Sequence, residues 1–377
     1  MWDKAGAYRF IFLMGFVSLL SDFTYEGAKG IIGPYLAYLG ASAFVVGLIS
    51  GLSELAGYWV RLFSGVWSDR FKNYWLFTFL GYALNLFSVP LLAFAKGWQM
   101  AGFLVFLERF GKGLRTPSRD ALLSRATSMV GHGRGFGLHE FLDQVGAVLG
   151  PLAIGLLLFL GFGYKGSFLF LFIPAFLALF LLLLARRFYK DKVEKEPLHG
   201  DSFSLSKAFY VYILSACLVA LSFLPFPLIG FHLVKDGFEE WKVSLLFAFA
   251  MGVDALSALL FGVLFDRIGF FALAFGLSFG LFAAPALFVA NKPILALFLW
   301  GVSLGVQESI MRSAVAKLSP EKARGRAYGL FHLFFGLFTF LGAAWMGYLY
   351  EISLTFLVFY SVLLHAIALL VLSRLKT

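Results

Sequence analysis

Only one cysteine, Cys217, occurs in 377 residues, which excludes an intrachain disulfide. Charge is scarce too: 14% of the residues are Asp, Glu, Lys or Arg, against 60% hydrophobic. A soluble protein of that balance has too few polar groups to cover its surface. No His-Glu-x-x-His, Gly-x-Ser-x-Gly or paired-carboxylate protease pattern lies within an apolar span, which disfavours a membrane-embedded enzyme. Phosphate-binding loops are absent as well, so ATP is not the expected energy source and no cofactor is expected. No signal peptide is apparent. The apolar run from Tyr8 is too long for an h-region and lacks a small-residue cleavage site, so it is expected to persist as the first helix.

What the chain does have is apolar stretches of about 20 residues, each enough for a bilayer core of roughly 30 Å. They lack the alternation of barrel strands, and in hydrocarbon every backbone N–H and C=O must be bonded internally, so they read as helices. The expected spans are 7–38, 42–67, 74–95, 98–126, 136–160, 164–188, 207–234, 242–266, 270–290, 293–317, 326–350 and 353–374. The expectation is an all-α membrane protein of twelve transmembrane helices, with no separate soluble domain among these residues. Its 40 glycines allow membrane helices to approach closely, and its 48 phenylalanines read as lipid-facing filler. The polar stretch with Lys190, Asp191, Lys192, Glu194 and Lys195 reads as a solvated linker, 189–206, between six-helix bundles at 1–188 and 207–377.

Basic residues set the expected orientation. With the amino terminus inside, about 22 of the 31 Lys and Arg fall on the cytoplasmic side. A multi-pass protein of the cell (inner) membrane with both termini cytoplasmic is expected, and this asymmetry explains the net charge of +10. The bases border membrane spans instead of forming one basic face, so nucleic acid is not an expected partner.

The two halves repeat each other. Gly65-Val66-Trp67-Ser68-Asp69-Arg70-Phe71 returns as Gly262-Val263-Leu264-Phe265-Asp266-Arg267-Ile268, each at the end of the second span of its half. Gly133-Arg134-Gly135-Phe136-Gly137-Leu138 pairs with Gly325-Arg326-Ala327-Tyr328-Gly329-Leu330, and Arg119-x-Ala121 with Arg312-x-Ala314. Internal duplication in a membrane is typical of solute transporters.

On these motifs the chain resembles the major facilitator superfamily over essentially its full length. Gly65 to Lys72 is similar to that family's loop 2–3 signature, although Phe71 is followed directly by Lys72-Asn73 and the later glycine is missing. Arg109-x-x-Lys112-Gly113 resembles its helix 4 pattern, with Lys112 replacing the usual glutamine. Gly146-x-x-x-Gly150-Pro151 resembles the helix 5 signature of the proton-coupled drug antiporter branch, with Ile154 in place of its penultimate glycine. The resemblance implies alternating access, with the first, fourth, seventh and tenth helices around a central cavity. Gly65 is expected to bring the second and eleventh helices together, Asp69 to sit near a helix amino end, and Arg70 to pair with Asp120 as a latch. Gly146, Gly150 and Pro151 are expected to form a smooth, bendable surface against the opposite half.

An ionisable group at the bilayer centre costs at least about 2.5–3.5 kcal/mol on insertion scales, so each needs a reason. The first helix carries Asp22, Glu26 and Lys29 on one face, the second Glu54 and Arg61, the fourth Glu108, Arg109 and Lys112, and the fifth His139, Glu140 and Asp143. The second half adds Asp254, Gln307, Glu308 and Arg312. Asp22, Glu26, Lys29, Glu54, Arg109, Lys112, Asp254 and Glu308 are the expected cavity and proton-coupling residues. Within helices, Glu26 can pair with Lys29 and Glu108 with Lys112. Asp22 or Glu26 is the expected protonation site, with Arg109 tuning it. Arg115, Arg119 and Arg125 read as topology determinants near headgroups, and His332 and His365 as packing residues.

The expectation is a secondary active transporter, not an enzyme, most simply a proton-coupled exporter of a small organic compound acting as a monomer. The alternatives are uptake of an organic anion with H⁺ or Na⁺, for which Lys29, Arg109 and Lys112 speak, and divalent-metal export through Cys217, His332 and Asp22. No resident metal is expected, and the remaining partner is the lipid bilayer.

Overall fold

The computed structural model describes residues 4–189, 205–320 and 323–375, with only the backbone described for Asp69, His132 and Gly133. Among them the chain is helical and has no strand. Twelve long helices follow one another: α1 (Lys4–Tyr38), α2 (Ala43–Phe71), α3 (Tyr74–Phe94), α4 (Trp98–Thr127), α5 (His132–Phe159) and α6 (Gly163–Phe188). Then come α7 (Lys207–Lys235), α8 (Glu240–Ile268), α9 (Phe270–Phe288), α10 (Pro293–Leu318), α11 (Arg324–Ile352) and α12 (Leu354–Leu372). Eleven of them are apolar and long enough to cross a membrane. Only α4 falls short in hydropathy, because it carries Glu108, Arg109, Lys112, Arg115, Arg119, Asp120 and Arg125. The linker expected over 189–206 lies almost wholly outside the described residues.

The chain forms two compact units. The first comprises the described residues of Met1–Ala41 and Ala56–Glu196, with Gly230–Ala248. Ser42–Leu55, the described residues of Pro197–Ile229 and those of Phe249–Thr377 make up the second. Each sequence half therefore lends one helix end to the other half's unit.

In the first unit, α1 and α5 run parallel along a glycine seam. A Cβ on Gly146 would meet the carbonyl of Leu19, and one on Gly150 the carbonyl of Phe23. Without Cβ atoms the two backbones touch, which is how membrane helices gain packing energy when lipid is as apolar as their side chains. Gly111 does the same for α4 on α3, where a Cβ would lie 2.8 Å from the Gly81 carbonyl. Gly230–Ala248 joins this unit through Phe247 against Gly30, through Ser244 Oγ donating to the Pro151 carbonyl at 2.8 Å, and through Trp241 against Phe159.

In the second unit, α7 breaks after Ser222, where Pro225 cannot continue the helical ladder. Carbonyls at a break must still be satisfied in a dry interior. Ser361 Oγ donates to the Ser222 carbonyl at 2.8 Å, and Trp300 Nε1 to that of Leu224 at 2.9 Å. His365, fully buried, completes the joint: Nε2 donates to the Leu277 carbonyl at 2.9 Å, leaving Nδ1 to accept from Ser222 Oγ at 2.9 Å. As expected from the sequence, it is a packing residue. His365→Ala strands these partners and is expected to lower stability by about 1–3 kcal/mol. A thermal melt of the purified variant, unchanged from the parent, would contradict this role.

The loops after the repeated Gly-x-x-x-Asp-Arg motif each place a residue of positive φ at the equivalent position, although the next helix is capped by Asn73 in the first copy and by Gly269 itself in the second. Lys72 has φ of 52° and Gly269, at the equivalent position of the second copy, 57°. Left-handed backbone is strained by about 1–2 kcal/mol in residues other than glycine. The glycine missing from the first copy is thus replaced by a lysine under strain. Gly269→Ala is expected to lower stability by about 1 kcal/mol and Lys72→Gly to lower it not at all; equal melting shifts in the two variants would refute the equivalence.

Candidate functional site

On α1, Ser18, Asp22, Tyr25, Glu26 and Lys29 share one face, because residues three and four apart stack along a helix. The charged face of α4 runs antiparallel against it. Arg119 Nη1 donates to Ser18 Oγ at 3.3 Å near the start of α1, and Lys112 Nζ donates to the Tyr25 hydroxyl at 2.7 Å higher up. The Tyr25 ring also takes Lys112 over its face at 4.1 Å and Arg109 at 5.7 Å. In turn the Tyr25 hydroxyl donates to the Asp22 carboxylate, which lies in the field of Lys112, Arg115 and Asp143. Lys29 and Glu26 pair at 3.3 Å, as their spacing foretold. From α5, Asp143 faces the Ser18 hydroxyl, and its Oδ2 is 3.5 Å from His139 Nδ1.

Five bases, Lys29, Arg109, Lys112, Arg115 and Arg119, thus lie along one seam with five acids, Asp22, Glu26, Glu108, Asp143 and, at its half-exposed end, Asp120. Buried charge persists only where it is compensated, and here acids and bases are equal in number, with Lys29, Arg109 and Arg119 each beside a carboxylate and Lys112 and Arg115 over tyrosine rings.

Several expectations are corrected. Glu108 does not pair with Lys112. It accepts from Asn85 Nδ2 at 2.7 Å and lies 3.4 Å from Arg109 Nε, because Gly111 lets α3 close enough for Asn85 to capture it. Arg115 is no headgroup determinant: it is 1% exposed, and its guanidinium stacks 4.1 Å over Tyr82. The Arg70–Asp120 latch is not formed, since Arg119, its own neighbour, holds Asp120 at 2.8 Å while Arg70 is exposed. The side chain of Asp69 lies outside the described residues. Gly65 does not join α2 to α11; it faces Pro117 of α4 with room to spare. The close α2–α11 approach instead uses Gly51, where a Cβ would be 2.8 Å from the Phe340 carbonyl, and Gly347, 2.6 Å from that of Ala43. Gly146 and Gly150 serve the α1 seam of their own half; of the helix 5 motif it is Pro151, through Ser244, and Gly155, against Trp241 and Leu245, that meet α8.

The other expected site residues belong to the second unit. Glu54 is half-buried on the part of α2 that packs there. Asp254 is buried on α8, where a Cβ on Gly305 would lie against its carbonyl. Glu308 is exposed on α10, and Arg312 Nε donates to its backbone carbonyl at 2.8 Å. His332 stacks on Tyr328 and meets Phe331 edge-on, as a packing residue would. Cys217 is buried, and among the described residues no group of three His, Cys, Asp or Glu is placed to hold a metal ion.

Sequence reasoning missed Ser18, Tyr25 and Arg115 as members of the cluster. Tyr25 was detectable: it is a polar ring three residues after Asp22 on the same face.

Known proteins carry the same architecture. An uncharacterised protein of Mycobacterium tuberculosis is 39% identical to this chain, covering 98% of it and 93% of its own length. A major-facilitator-type transporter of Methanocaldococcus jannaschii, also uncharacterised, is 28% identical over 92% of this chain and 90% of its own. Among solved structures, a POT peptide transporter in complex with sulfate superposes with a TM-score of 0.77 at 15% identity, covering 100% of this chain and 97% of its own. Residues 11–343 match the Major Facilitator Superfamily as a family. Twelve helices, a duplicated Gly-x-x-x-Asp-Arg loop and that match agree: the chain belongs to the Major Facilitator Superfamily and is a membrane transporter, not an enzyme.

Proposed function

We propose that this transporter exports a small organic compound in exchange for protons, by alternating access, as a monomer in the inner membrane with both termini cytoplasmic. The observation that carries the reading is the charge-balanced cluster on α1, α4 and α5. With its acids and bases matched, one added proton leaves a single uncompensated charge in a low-dielectric interior, which is a strong bias between two conformations.

Asp22 takes that proton. Glu26 is already held by Lys29, whereas Asp22 accepts a hydrogen bond from Tyr25 and has no salt bridge among the described residues. Arg109 and Lys112, both over Tyr25, sense the change and relay it to α4. Glu54, Asp254 and Glu308 are taken as substrate-path residues in this reading. Export is favoured by the resemblance of Gly146-x-x-x-Gly150-Pro151 to the antiporter signature.

The equal number of acids and bases in the cluster counts against organic-anion uptake, since it leaves no net positive charge for an anion, although Arg115 and Lys112 face tyrosines and not acids. The absence of a three-ligand group among the described residues counts against divalent-metal export.

Purified protein in sealed liposomes with a trapped pH dye tests the reading. A panel of organic cations, neutral amphiphiles, organic anions and divalent metals is added across a proton gradient, with and without Na⁺. Proton movement driven by a cationic or neutral compound, independent of Na⁺, is the expected result. Movement driven only by anions, or only with Na⁺, would overturn it.

A further inference from the structure

Below Asp22, toward the start of α1 and α5, lies a second titratable pair that the exchange described above does not use. His139 is 3% exposed, and its Nδ1 faces Asp143 Oδ2 at 3.5 Å. Its Nε2 is buried without a hydrogen-bond partner among the described residues. In His365 both ring nitrogens are satisfied, whereas His139 leaves one unmade hydrogen bond, at a cost of about 1–3 kcal/mol when buried. The open Nε2, on a ring whose Nδ1 faces a carboxylate, leaves this imidazole a nitrogen at which a proton can be taken up or released.

The surroundings form a line. Asp22 and Ser18 are one turn apart on α1, Ser18 faces Asp143 on α5, and Asp143 is one turn from His139. Because α1 and α5 run parallel, with Leu19 opposite Gly146 and Phe23 opposite Gly150, Asp143 and then His139 lie successively nearer the amino ends of both helices than Asp22 does. The charged and titratable groups facing this line are Asp22 and Tyr25 from α1, and Lys112, Arg115 and Arg119, the last with Asp120, from α4. Arg119 bonds Ser18 and lies in the field of Asp143, so the line has a fixed cation beside its middle.

We propose that His139 is a proton-carrying residue, linked through Asp143 and Ser18 to Asp22, that passes the coupling proton between Asp22 and the end of the bundle where α1 and α5 begin. The proton leaves the Asp22 carboxylic acid, and the Asp143 carboxylate accepts it past the Ser18 hydroxyl. Asp143 then gives it to Nδ1 of neutral His139, and the resulting imidazolium releases the Nε2 proton to water. One proton enters and one leaves, and no other reactant is needed. Imidazole suits the last step because its ordinary titration range straddles neutral pH. The proposal rests on the proton-coupled reading above, but its test does not need a transported compound.

The full-length protein, labelled with ¹³C-histidine and held in nanodiscs, is titrated by NMR from pH 5 to pH 9. The His139 signal is assigned by its loss in His139→Gln. The expected result is a single-proton titration within that range whose midpoint moves by about half a pH unit or more in Asp22→Asn, because linked sites share their titration. Asp143→Asn, which also serves if Asp22→Asn fails to fold, is expected to move it at least as far. A His139 signal that does not titrate, or whose midpoint is the same in the folded variants as in the parent, would overturn the relay. Glu140→Gln, an exposed neighbour outside the line, is the control that leaves the midpoint in place. If instead the His139 and Asp22 titrations prove linked while no compound drives protons in liposomes, the relay stands and the proton-coupled reading falls.

Discussion

Asp22→Asn is expected to abolish gradient-driven transport while leaving substrate exchange at equal pH intact. The amide mimics the protonated carboxyl, so the cluster keeps permanently the uncompensated charge that proton binding would produce for part of each cycle. A bias of about 1.4 kcal/mol between two states is already a tenfold change in their ratio, and loss of one charge in such an interior exceeds that. Uphill flux should therefore fall at least about tenfold, toward the level of protein-free liposomes, with counterflow preserved. Glu26→Gln is expected to be milder, because what it loses is the 3.3 Å pair with Lys29, on the same helix. Full coupling in both variants would remove protonation from α1. A variant that loses exchange together with coupling would indicate substrate binding instead of proton binding at Asp22.

Gly150→Val should have the largest effect on the folded state. A Cβ at Gly150 falls on the carbonyl of Phe23, and backbone atoms cannot rotate aside as a side chain would. The α1–α5 seam would have to open along its length, since Gly146 and Leu19 touch one turn away. Overpacking of this kind costs about 1–3 kcal/mol or more. The same seam sets the level of Asp143 against Asp22, so uncoupling should accompany whatever folded fraction remains. Gly137→Val, on the same helix with open space beside it, is the comparison, expected to stay within about 0.5 kcal/mol of the parent. Equal melting temperatures for the two valine variants would show that the seam is not a tight constraint.

Much of the fold was legible before the structure. Apolar length gave twelve spans, and the helix ends observed, such as Trp98–Thr127 and Pro293–Leu318, fall within a few residues of those expected. Hydrophobic runs and turn residues are local signals, so they can be read without knowing what packs on what. The site was legible in part. The charged faces of α1 and α4 follow from helical spacing, and the Glu26–Lys29 pair formed as read. What spacing cannot say is which neighbour arrives first. Glu108 was lost to Asn85 because a glycine on α4 admits α3, and Asp120 went to Arg119 instead of Arg70. Glycines misled for the same reason: Gly65 was expected against the eleventh helix and Gly146 and Gly150 against the opposite half, yet a bare backbone position advertises closeness without naming the other surface. Arg115 was misjudged because its partner, the Tyr82 ring, carries no charge for the sequence to display.

Everything proposed for function requires that the ionised residues on α1 and α4 meet water. Cys217 is the only cysteine, so a Cys217→Ser background permits single probes. Lys112→Cys and Asp22→Cys, placed one at a time in that background in native membranes, are exposed to a membrane-impermeant maleimide, with lipid-facing Leu259→Cys as reference. Rapid labelling at positions 112 and 22, slowed by a transported compound, with none at 259, is the predicted result. Labelling at 112 and 22 as slow as at 259 would mean that these charges lie in a dry seam, and would contradict the account.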